Sequence, residues 1–394
     1  MRVLHVSAYF APAFSYGGPP RSLLGLCRGL RGAGVEVEVF TTTANGATDL
    51  PASPPEGDRF EGVPVRYFPL SVPRRLFRAR GLPAALESSV DRYDLVHSHG
   101  LWNLPAWTAA RCARRRRVPY VLSPHGMLDA GSMAHRAYRK RLAYSLLDAK
   151  NVAGAALLHA TSRAEAQSLA RRAPAVPIVV LPNGVDARPV EAPARGAFRR
   201  SLGLPETAPL IVFLGRVHPI KRLDLLAAAF DRIRVVHPGA HLVIAGPDEG
   251  GHRRRVEPRF AQAGASVHWT GELSEPAKWT LLADAGVLVM CSQSESFGRS
   301  VAEALAAGVP VVVTRTCPWD EVETAGCGFW VPQSSEAIAR AVLDLLADPT
   351  RARIMGDRGR ALARAKYSWD SIARDMARRY EAVAAAWPRL VTVP

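Results

Sequence analysis

Two glutamates, Glu295 and Glu303, carry the strongest indication of chemistry in this sequence. Glu295 begins the segment Glu-Ser-Phe-Gly, which leads into a helical pattern starting near Arg299, and Glu303 lies one turn inside that pattern. At Phe297 and Gly298, free backbone N–H groups and the positive end of a helix dipole can hold a phosphate. Carboxylates accept hydrogen bonds from the vicinal hydroxyls of a sugar or ribose. The two glutamates could instead be a helix-capping acid and an exposed helix residue, so their surroundings decide the interpretation.

Two cations lie at another expected strand end. Arg216 and Lys221 follow the apolar run 210–214, whose composition predicts a buried strand. Cations fixed in advance stabilise the negative charge that a leaving diphosphate gains in the transition state. Since the chain contains no Asp-x-Asp pair, we expect chemistry without a metal ion, in which Arg216 and Lys221 replace it. The alternative is that both cations belong to a solvated helix start.

Three histidines follow or end β-type runs. His97 and His99 alternate, so they share one face of a strand, and His125 follows another β-type run. Although three histidines can suggest a metal centre, no carboxylate or cysteine accompanies them at ligand spacing, and we predict no metal site. A lone histidine after proline is often structural. His99 and Trp102 are expected to line the acceptor side of the site.

The elements that must position these residues form two α/β domains. Short β-type runs such as 3–6 and 35–42 alternate with helical patterns, which is typical of βαβ units and a parallel sheet. After Pro189 the chain becomes polar, and the alternation restarts at Leu210. In such folds ligands bind beyond the carboxyl ends of the strands, so the site is expected in the cleft between the domains. We predict an N-terminal domain (1–190), a linker (191–208), a second domain (209–370), and a C-terminal helix (371–386) that packs back towards the N-terminal domain.

The segment containing both glutamates, residues 294–314, resembles the E-x7-E element of the retaining GT-B glycosyltransferases of family four. The resemblance continues through the residues Glu303-Ala-Leu-Ala-Ala-Gly-Val-Pro. Three further elements resemble the family and occur in its order: Gly17-Gly18, Leu181–Asp186 and Gly215–Asp224. Within the family, four segments are similar to bacterial enzymes of exopolysaccharide or lipopolysaccharide synthesis: Ser123–Asp129, His159–Glu165, Pro318–Glu321 and Gly326–Trp330.

The resemblance implies a GT-B fold, in which two Rossmann-like, doubly wound parallel-sheet domains face each other across a cleft. It implies that the N-terminal domain (1–190) binds the acceptor and that the second domain (209–370) binds the nucleotide sugar. It implies that Glu303 binds the ribose and that Glu295 holds the donor sugar with the loop that follows it. His125 is implied to lie near the anomeric carbon, and the loop Gly271–Leu273 to meet the base through its backbone. The implied catalytic residues are Arg216, Lys221, Glu295 and His125. The implied residues for the nucleotide sugar are Gly17, Gly18, Arg216, Lys221, Gly271, Leu273, Glu295, Ser296, Phe297, Gly298 and Glu303.

The reaction implied is transfer of a hexose-type sugar from a nucleoside diphosphate to a hydroxyl of an acceptor, with retention of anomeric configuration. The nucleotide sugar is a co-substrate, and no cofactor or metal is expected. The expected acceptor is a glycan, polyprenyl-diphosphate-linked or otherwise anionic, in surface polysaccharide synthesis. Two alternatives stay open: a nucleotide-sugar epimerase or phosphorylase on the same architecture, and a non-catalytic scaffold of a polysaccharide assembly complex.

The charge of the chain is concentrated in its first half. Residues 1–190 hold 25 Lys and Arg against 13 Asp and Glu, so they carry most of the net charge of +16. The densest runs, 111–117 and 136–141, could meet an anionic membrane surface, although solvated helix faces explain such runs equally well. No stacking aromatics interleave with these runs, which argues against a nucleic-acid partner.

The cysteines and the start of the chain indicate the compartment. The five cysteines are scattered and contain no C-x-x-C pair, which fits neither a disulfide framework nor a zinc site. No apolar run reaches eighteen residues, and Met1–Ser7 is typical of a core strand rather than a signal peptide. We expect a cytoplasmic protein, which could be peripheral at the inner face of the cell membrane.

Overall fold

The computed structural model describes residues 1–54, 56–129, 142–186 and 195–391, which form two compact units. Unit 1 comprises Met1–Gly184 together with Trp369–Pro394, and unit 2 comprises Val185–Ser368. The basic cluster at 136–141 and the first part of the expected linker, 191–194, lie outside the described residues. No helix in the described part of the chain is long and apolar enough to cross a membrane.

Unit 1 is built on an eight-stranded sheet, to which a small hairpin of β3 (Ala44–Asn45) and β4 (Thr48–Asp49) is added. The strands of the large sheet are β1 (Arg2–Ser7), β2 (Glu36–Thr42), β5 (Asp58–Phe60), β6 (Val63–Phe68), β7 (Leu95–His99), β8 (Tyr120–Ser123), β9 (Leu157–Ala160) and β10 (Ile178–Val180). Their spatial order is β10-β9-β8-β7-β1-β2-β6-β5, and every neighbouring pair is parallel except β5 with β6. The chain order reverses between β1 and β7, and such a reversal point is where a doubly wound sheet opens a ligand crevice.

The helices described in unit 1 are α1 (Gly18–Gly32), α2 (Leu82–Ser89), α3 (Leu104–Arg116), α4 (Ala149–Ala153), α5 (Arg163–Ala170) and the C-terminal helix (Trp369–Val391). Side chains cap two of them: the Asn103 amide oxygen accepts from Ala106 N at 2.8 Å and begins α3, and the Ser162 hydroxyl accepts from Glu165 N at 3.2 Å and begins α5. The helices cover a sheet whose central strands are buried along their length, as parallel strands require.

The C-terminal helix packs on α1 through two glycines. A methyl group at Gly25 would overlap the Trp369 indole, and one at Gly29 would lie 2.8 Å from Ala373 Cβ. The buried side chains of Ile372, Met376 and Tyr380 continue this contact into the core of unit 1. The C-terminal helix is therefore part of unit 1, although it is the last element of the chain.

Unit 2 contains a six-stranded, fully parallel sheet. Its strands are β11 (Leu210–Leu214), β12 (His241–Ala245), β13 (Val267–Gly271), β14 (Val287–Met290), β15 (Val311–Thr314) and β16 (Gly328–Val331). Their order, β13-β12-β11-β14-β15-β16, is that of a Rossmann domain with its switch point between the first and fourth strands. The predicted class, α/β with two doubly wound sheets, is confirmed.

Helices cover both faces of the second sheet, so its strands are short apolar runs in the sequence. The helices described here are α6 (Ala197–Ser201), α7 (Leu223–Val236), α8 (Arg253–Val256), α9 (Glu275–Asp284), α10 (Arg299–Ala307), α11 (Glu321–Thr324), α12 (Ser335–Ala347) and α13 (Pro349–Lys366). The first and last residues of the unit lie side by side, because Val185 N donates to Tyr367 O at 2.8 Å and Val185 forms a bridge with Ser368.

Candidate active site

Lys221 and Glu295 meet at the switch point of the unit 2 sheet. Lys221 follows β11 and Glu295 follows the adjacent β14, so residues 74 positions apart in sequence form an ion pair. Both side chains are only 13% exposed. The Ser292 hydroxyl also donates to Glu295 Oε1, at 2.9 Å. The carboxyl ends of two neighbouring strands therefore present one cation and one carboxylate in a sheltered position.

Backbone contacts hold Lys221 in place. The turn Pro219–Lys221 is capped by His218, whose Nδ1 accepts from Ile220 N at 3.2 Å. Ile220 O accepts from Gln293 N at 2.7 Å, and the thiol of Cys291 lies 3.3 Å from Lys221 O. The loop after β11 is thus tied to the end of β14, which fixes the backbone on both sides of the ion pair.

Arg216 points to a different loop. Its guanidinium pairs with Glu249, and these side chains are 39% and 45% exposed. The segment after β11 runs beside the loop after β12, since Val217 N donates to Pro247 O at 2.8 Å. Gly246 permits this approach, because its φ is 144° and a methyl group there would overlap Gly215 O. The two cations predicted together therefore have separate carboxylate partners.

The loop that leads into α10 is packed against the sheet. Gly298 precedes the helix with a φ of 83°, and a methyl group there would lie 3.0 Å from Met290 Sδ. Phe297 is buried, its carbonyl accepts from the Trp319 indole, and the two ring centroids lie 5.2 Å apart. The first N–H groups of an α-helix have no intrahelical acceptor, so the start of α10 places such groups just after Glu295.

Glu303 belongs to a second, deeper ion cluster. Its Oε1 accepts from Lys278 Nζ at 2.9 Å and from Arg299 Nε at 2.8 Å, and Arg299 lies 3.5 Å from Asp186. Burial acts to raise the pKa of Glu303, but the charges of Arg299 and Lys278 outweigh it and hold that pKa below its usual value. Glu303 is therefore an ionised, buried carboxylate rather than an exposed helix residue.

Gly271 ends strand β13 rather than opening a loop, because its carbonyl still accepts from Gly246 N at 2.8 Å. Its φ is 68°, and a methyl group would meet no atom of the described residues within 4 Å. The positive φ, rather than crowding, accounts for a glycine here. Leu273 follows and is partly buried against the core of unit 2.

Unit 1 carries a cavity of about 120 Å³ at the carboxyl ends of β1 and β7. Its walls include His99, His125, Tyr9 and Phe77. Trp102, expected beside His99, does not line it and instead packs against the core of unit 1. The glycines after β1 lie at the start of α1: Gly17, with a φ of 80°, precedes the helix, and Gly18 is its first residue. A methyl group at Gly18 would meet none of the described residues within 4 Å.

A chain of three imidazoles leads to this cavity. His5 Nδ1 lies 3.0 Å from His99 Nε2, and His99 Nδ1 lies 3.1 Å from His125 Nε2. We call these residues the histidine chain. His125 has a φ of 54°, and its turn is fixed by Glu165, whose buried carboxylate accepts from Gly126 N at 2.6 Å. The backbone at His125 is therefore anchored independently of its ring.

A second hydrogen-bonded chain runs beside the first. His97 contacts the Tyr380 hydroxyl at 2.5 Å and the Ser123 hydroxyl at 2.6 Å, and Ser123 contacts His159 Nδ1 at 2.7 Å. Each of His5, His97 and His99 has a ring nitrogen within 4.8 Å of the others, a spacing that a metal ion could use. Because both nitrogens of His97 are engaged, a metal would have to displace existing bonds, and the expectation of no metal stays a prediction.

Burial sets the protonation of these histidines. It lowers the pKa of His5 and His125 to about 3 and that of His159 to about 4. The pKa values of His97 and His99 are lowered well below the usual value, by burial and then by neighbouring histidines. All five imidazoles are therefore neutral at physiological pH.

Comparison with known proteins decides the family. The family model described as "Glycosyl transferases group 1" matches residues 194–362, and the "Glycosyl transferase 4-like domain" matches residues 17–184. The D-inositol 3-phosphate glycosyltransferase of Xylanimonas cellulosilytica is 32% identical over 91% of this chain and 90% of its own length. The protein of the same name from Kineococcus radiotolerans is 31% identical over 91% and 88%. This chain belongs to the group 1 glycosyltransferases.

Solved structures agree with the fold of this glycosyltransferase. Sucrose-phosphate synthase from Thermosynechococcus elongatus superposes with a TM-score of 0.78 at 23% identity, covering 98% of this chain and 100% of that one. HepE from Anabaena, in complex with UDP and glucose, superposes with a TM-score of 0.75 at 19% identity, covering 97% of this chain and 100% of that one. The predicted GT-B fold and the predicted enzyme class are confirmed.

Within each unit of the glycosyltransferase, part of the predicted site is brought together. Lys221 meets Glu295 in unit 2, and His99 meets His125 in unit 1. Sequence reasoning missed the partners of these residues. Two signals were present, because a lysine interrupts the apolar pattern of α9 and a histidine lies in the apolar run of β1. The missed residues are Lys278, Asp186, Ser292, Glu249, Glu165 and His5.

Proposed function

We propose that this glycosyltransferase moves a hexose from a nucleoside diphosphate sugar to a hydroxyl of its acceptor, with retention of anomeric configuration. The observation that carries the proposal is the sheltered Lys221–Glu295 pair beside the start of α10. The cation of Lys221 suits the charge of the diphosphate, and the carboxylate of Glu295 suits the hydroxyls of the hexose. The N–H groups at the start of α10 suit the phosphate oxygens. HepE, similar in fold, is described in complex with UDP and glucose.

The ion pair suggests a partner exchange on binding. A diphosphate bound near Lys221 offers the ammonium a stronger anion than one carboxylate, and Glu295 then turns to the hydroxyls of the hexose. As the glycosidic bond breaks, Lys221 and the N–H groups of α10 stabilise the charge that gathers on the leaving phosphate. The acceptor attacks from the same face, and its proton passes to the leaving phosphate oxygen. Arg216, now paired with Glu249, supplies a second cation.

The nucleoside is assigned to Glu303. Lys278 and Arg299 both bind Oε1 of this residue, and we assign Oε2 to a ribose hydroxyl. Because the neighbouring cations keep the carboxylate ionised, it remains a hydrogen-bond acceptor throughout the physiological pH range. In this proposal no step requires a metal ion or a cofactor.

Two acceptors are candidates for this enzyme. The basic surplus of the first 190 residues favours a polyprenyl-diphosphate-linked glycan in surface polysaccharide synthesis, and the fold is similar to that of WaaG, a glycosyltransferase of lipopolysaccharide biosynthesis (TM-score 0.71, 18% identity, 95% and 99% coverage). The name of the relatives at 31–32% identity favours D-inositol 3-phosphate instead. Both acceptors carry phosphate, which suits a basic acceptor domain.

The proposal is tested first on the nucleotide sugar. The purified chain is screened against UDP-glucose, GDP-mannose and UDP-N-acetylglucosamine for thermal stabilisation and for donor hydrolysis. We expect Lys221→Ala and Glu295→Ala to lower turnover about a hundredfold or more while circular dichroism stays unchanged. Arg232→Ala is the matched control, since it removes an exposed ion pair with Glu336 in the same unit. Full turnover in both site variants would contradict the assignment.

The acceptor is tested with the best nucleotide sugar from that screen. Transfer is measured to a polyprenyl-diphosphate-linked sugar in anionic vesicles and to D-inositol 3-phosphate in solution. Product from the first alone supports the polysaccharide assignment, and product from the second alone supports the acceptor named for the relatives. The anomeric proton signals of the product report retention. An inverted product would overturn the proposed stereochemistry.

A further inference from the structure

The histidine chain restricts the tautomers of its members. Burial keeps all three rings neutral, and a neutral imidazole has one N–H donor and one bare nitrogen acceptor. Each of the two contacts, His5 to His99 and His99 to His125, needs one donor and one acceptor. The tautomer of one ring therefore determines the tautomers of the other two, and only two arrangements satisfy both hydrogen bonds.

The two arrangements differ at the ends of the chain. In the first, every ring carries its proton on Nδ1, so His5 Nε2 is a bare nitrogen and His125 Nδ1 is an N–H group. In the second, every ring carries its proton on Nε2, so His5 Nε2 is an N–H group and His125 Nδ1 is bare. His125 lines the cavity, and Nδ1 is the ring nitrogen that the bond to His99 leaves available to it.

The buried end of the chain favours the first arrangement. His5 is fully buried, and its Nε2 has no hydrogen-bond partner among the residues that the structure describes. Besides His99, the rings beside His5 are those of His97, at 5.1 Å between centroids, and Tyr380, at 6.4 Å. Among buried backbone groups, an N–H without an acceptor is rarer than a carbonyl without a donor, and the same order applied to the imidazole of His5 favours an unprotonated Nε2. The proton of His5 is therefore better placed on Nδ1, where His99 accepts it.

We propose that His5 and His99 are positioning residues that hold His125 as its Nδ1–H tautomer, so that His125 presents a hydrogen-bond donor to the cavity. The ligand group this selects is an oxygen that accepts a hydrogen bond, such as a sugar hydroxyl or a phosphate oxygen. The tautomer does not depend on the proposed function, whereas its use in recognising a nucleotide sugar rests on it. His5 contributes without touching the ligand, because its proton assignment is passed along two hydrogen bonds.

The tautomer is measured directly by NMR of the full chain labelled with ¹⁵N-histidine. The signals of His125 are assigned by their loss in His125→Gln. We expect the ¹⁵N signals of His125 to be those of a protonated Nδ1 and an unprotonated Nε2, and we expect the same pattern at His99 and His5. A protonated Nε2 at His125, averaged signals from mixed tautomers, or a charged ring would each overturn the proposal.

Breaking the chain tests the positioning role. In His99→Phe, and independently in His5→Phe, the tautomer of His125 is no longer dictated, so its two nitrogen signals should move towards averaged values. The matched control is His159→Gln, which is equally buried but lies in the neighbouring chain through Ser123. It should leave the His125 signals in place. Unchanged His125 signals in both Phe variants would contradict the proposal even if one variant is destabilised.

Activity gives the second measurement. With the nucleotide sugar that binds, His99→Phe should lower turnover about tenfold, by the loss of one oriented hydrogen bond, and His159→Gln should not. If no nucleotide sugar binds or reacts, the proposed function fails while the NMR result still stands. If turnover falls equally in His99→Phe and His159→Gln, the histidine chain has only a structural role.

Discussion

At the scale of single residues, Glu303 shows how the fold keeps a buried carboxylate charged. Its side chain is 7% exposed, and Lys278 and Arg299 beside it are 8% and 12% exposed. Removing such charges from water costs several kcal/mol per ion, which only close pairing offsets. Removing one member of such a cluster therefore lowers the free energy of unfolding by more than the intact cluster contributes to it. This asymmetry gives a test of the cluster that does not require a substrate.

Glu303→Gln should destabilise unit 2 by about 3 kcal/mol at neutral pH, because two buried cations lose their anion. The pKa of Glu303 is lowered on folding, so the unfolded chain takes up its proton first as the pH falls. The stabilisation is complete above the unfolded value of 4.5 and is lost as the pH falls through the folded value. Urea unfolding should therefore show the difference between wild type and variant shrinking below about pH 4.5.

The control for this prediction is Glu206→Gln. Glu206 pairs with Arg200 on the surface of the same unit, with side chains 74% and 55% exposed, and such pairs contribute little. Its unfolding midpoint should match that of wild type. An equally small effect of Glu303→Gln would mean that Lys278 and Arg299 are solvated rather than paired.

At the scale of elements, the contact of α1 with the C-terminal helix depends on glycines, which have no side chain. Gly25 faces the Trp369 indole, whereas a methyl group added at Gly32, on the same helix, would meet no atom within 4 Å in the part of the chain that the structure describes. A glycine inside a helix costs about 0.5–1 kcal/mol relative to alanine. The close approach of the two helices is what offsets this cost at Gly25.

Gly25→Ala should destabilise unit 1 by about 2 kcal/mol, because the new methyl group forces Trp369 to move. Gly32→Ala makes the same chemical change on the same helix where space is open, and it should be neutral or slightly stabilising. Thermal unfolding measures both, and near-ultraviolet circular dichroism reports the environment of the indole. Equal stability of the two variants would show that the helices do not pack at Gly25.

Elements that bury apolar runs could be predicted from the sequence, and elements of mixed polarity could not. Strand β11 has the predicted bounds, 210–214, and the apolar residues of helix α7 (Leu223–Val236) likewise follow the period of their structure. Strand β13 is an edge strand with partly exposed residues, and α13 is rich in arginine, so neither carries a clear pattern. Hydrophobic periodicity therefore predicts neither of these two elements.

The same physical limit applies to the site. Glu295 and Lys221 could be predicted as residue types at strand ends, but their ion pair spans 74 positions and the bond from His5 to His99 spans 94. Contacts of that separation depend on sheet order, which hydrophobic periodicity does not specify. Lys278, which helps to keep Glu303 charged, was missed because it lies on a different helix, 25 positions away.

At the scale of the whole molecule, the two units differ in continuity. Unit 2 is one uninterrupted stretch, whereas unit 1 is completed by residues that the chain makes last. The core of unit 1 includes Trp369, Ile372, Met376 and Tyr380. Without them the apolar face of α1 would be exposed, and His97 would lose its bond to Tyr380.

We expect the fragment 185–368 to fold by itself and the fragment 1–184 to remain incompletely folded. Joining 1–184 to 369–394 through a short Gly/Ser linker should restore cooperative unfolding, since Gly184 packs directly against Trp369 and the gap is small. Amide NMR dispersion and urea unfolding of the three fragments measure this. Cooperative unfolding of 1–184 alone would show that the C-terminal helix is dispensable.

The bridge between Val185 and Ser368 has a consequence for the history of such proteins. Because the first and last residues of unit 2 lie side by side, a recombination event that replaces the intervening gene segment has to preserve only two neighbouring junctions. The first unit would keep its own core, including the helix encoded downstream. Natural enzymes could in this way acquire a new second unit in one genetic step, and chimeras joined at these two positions are the corresponding laboratory route.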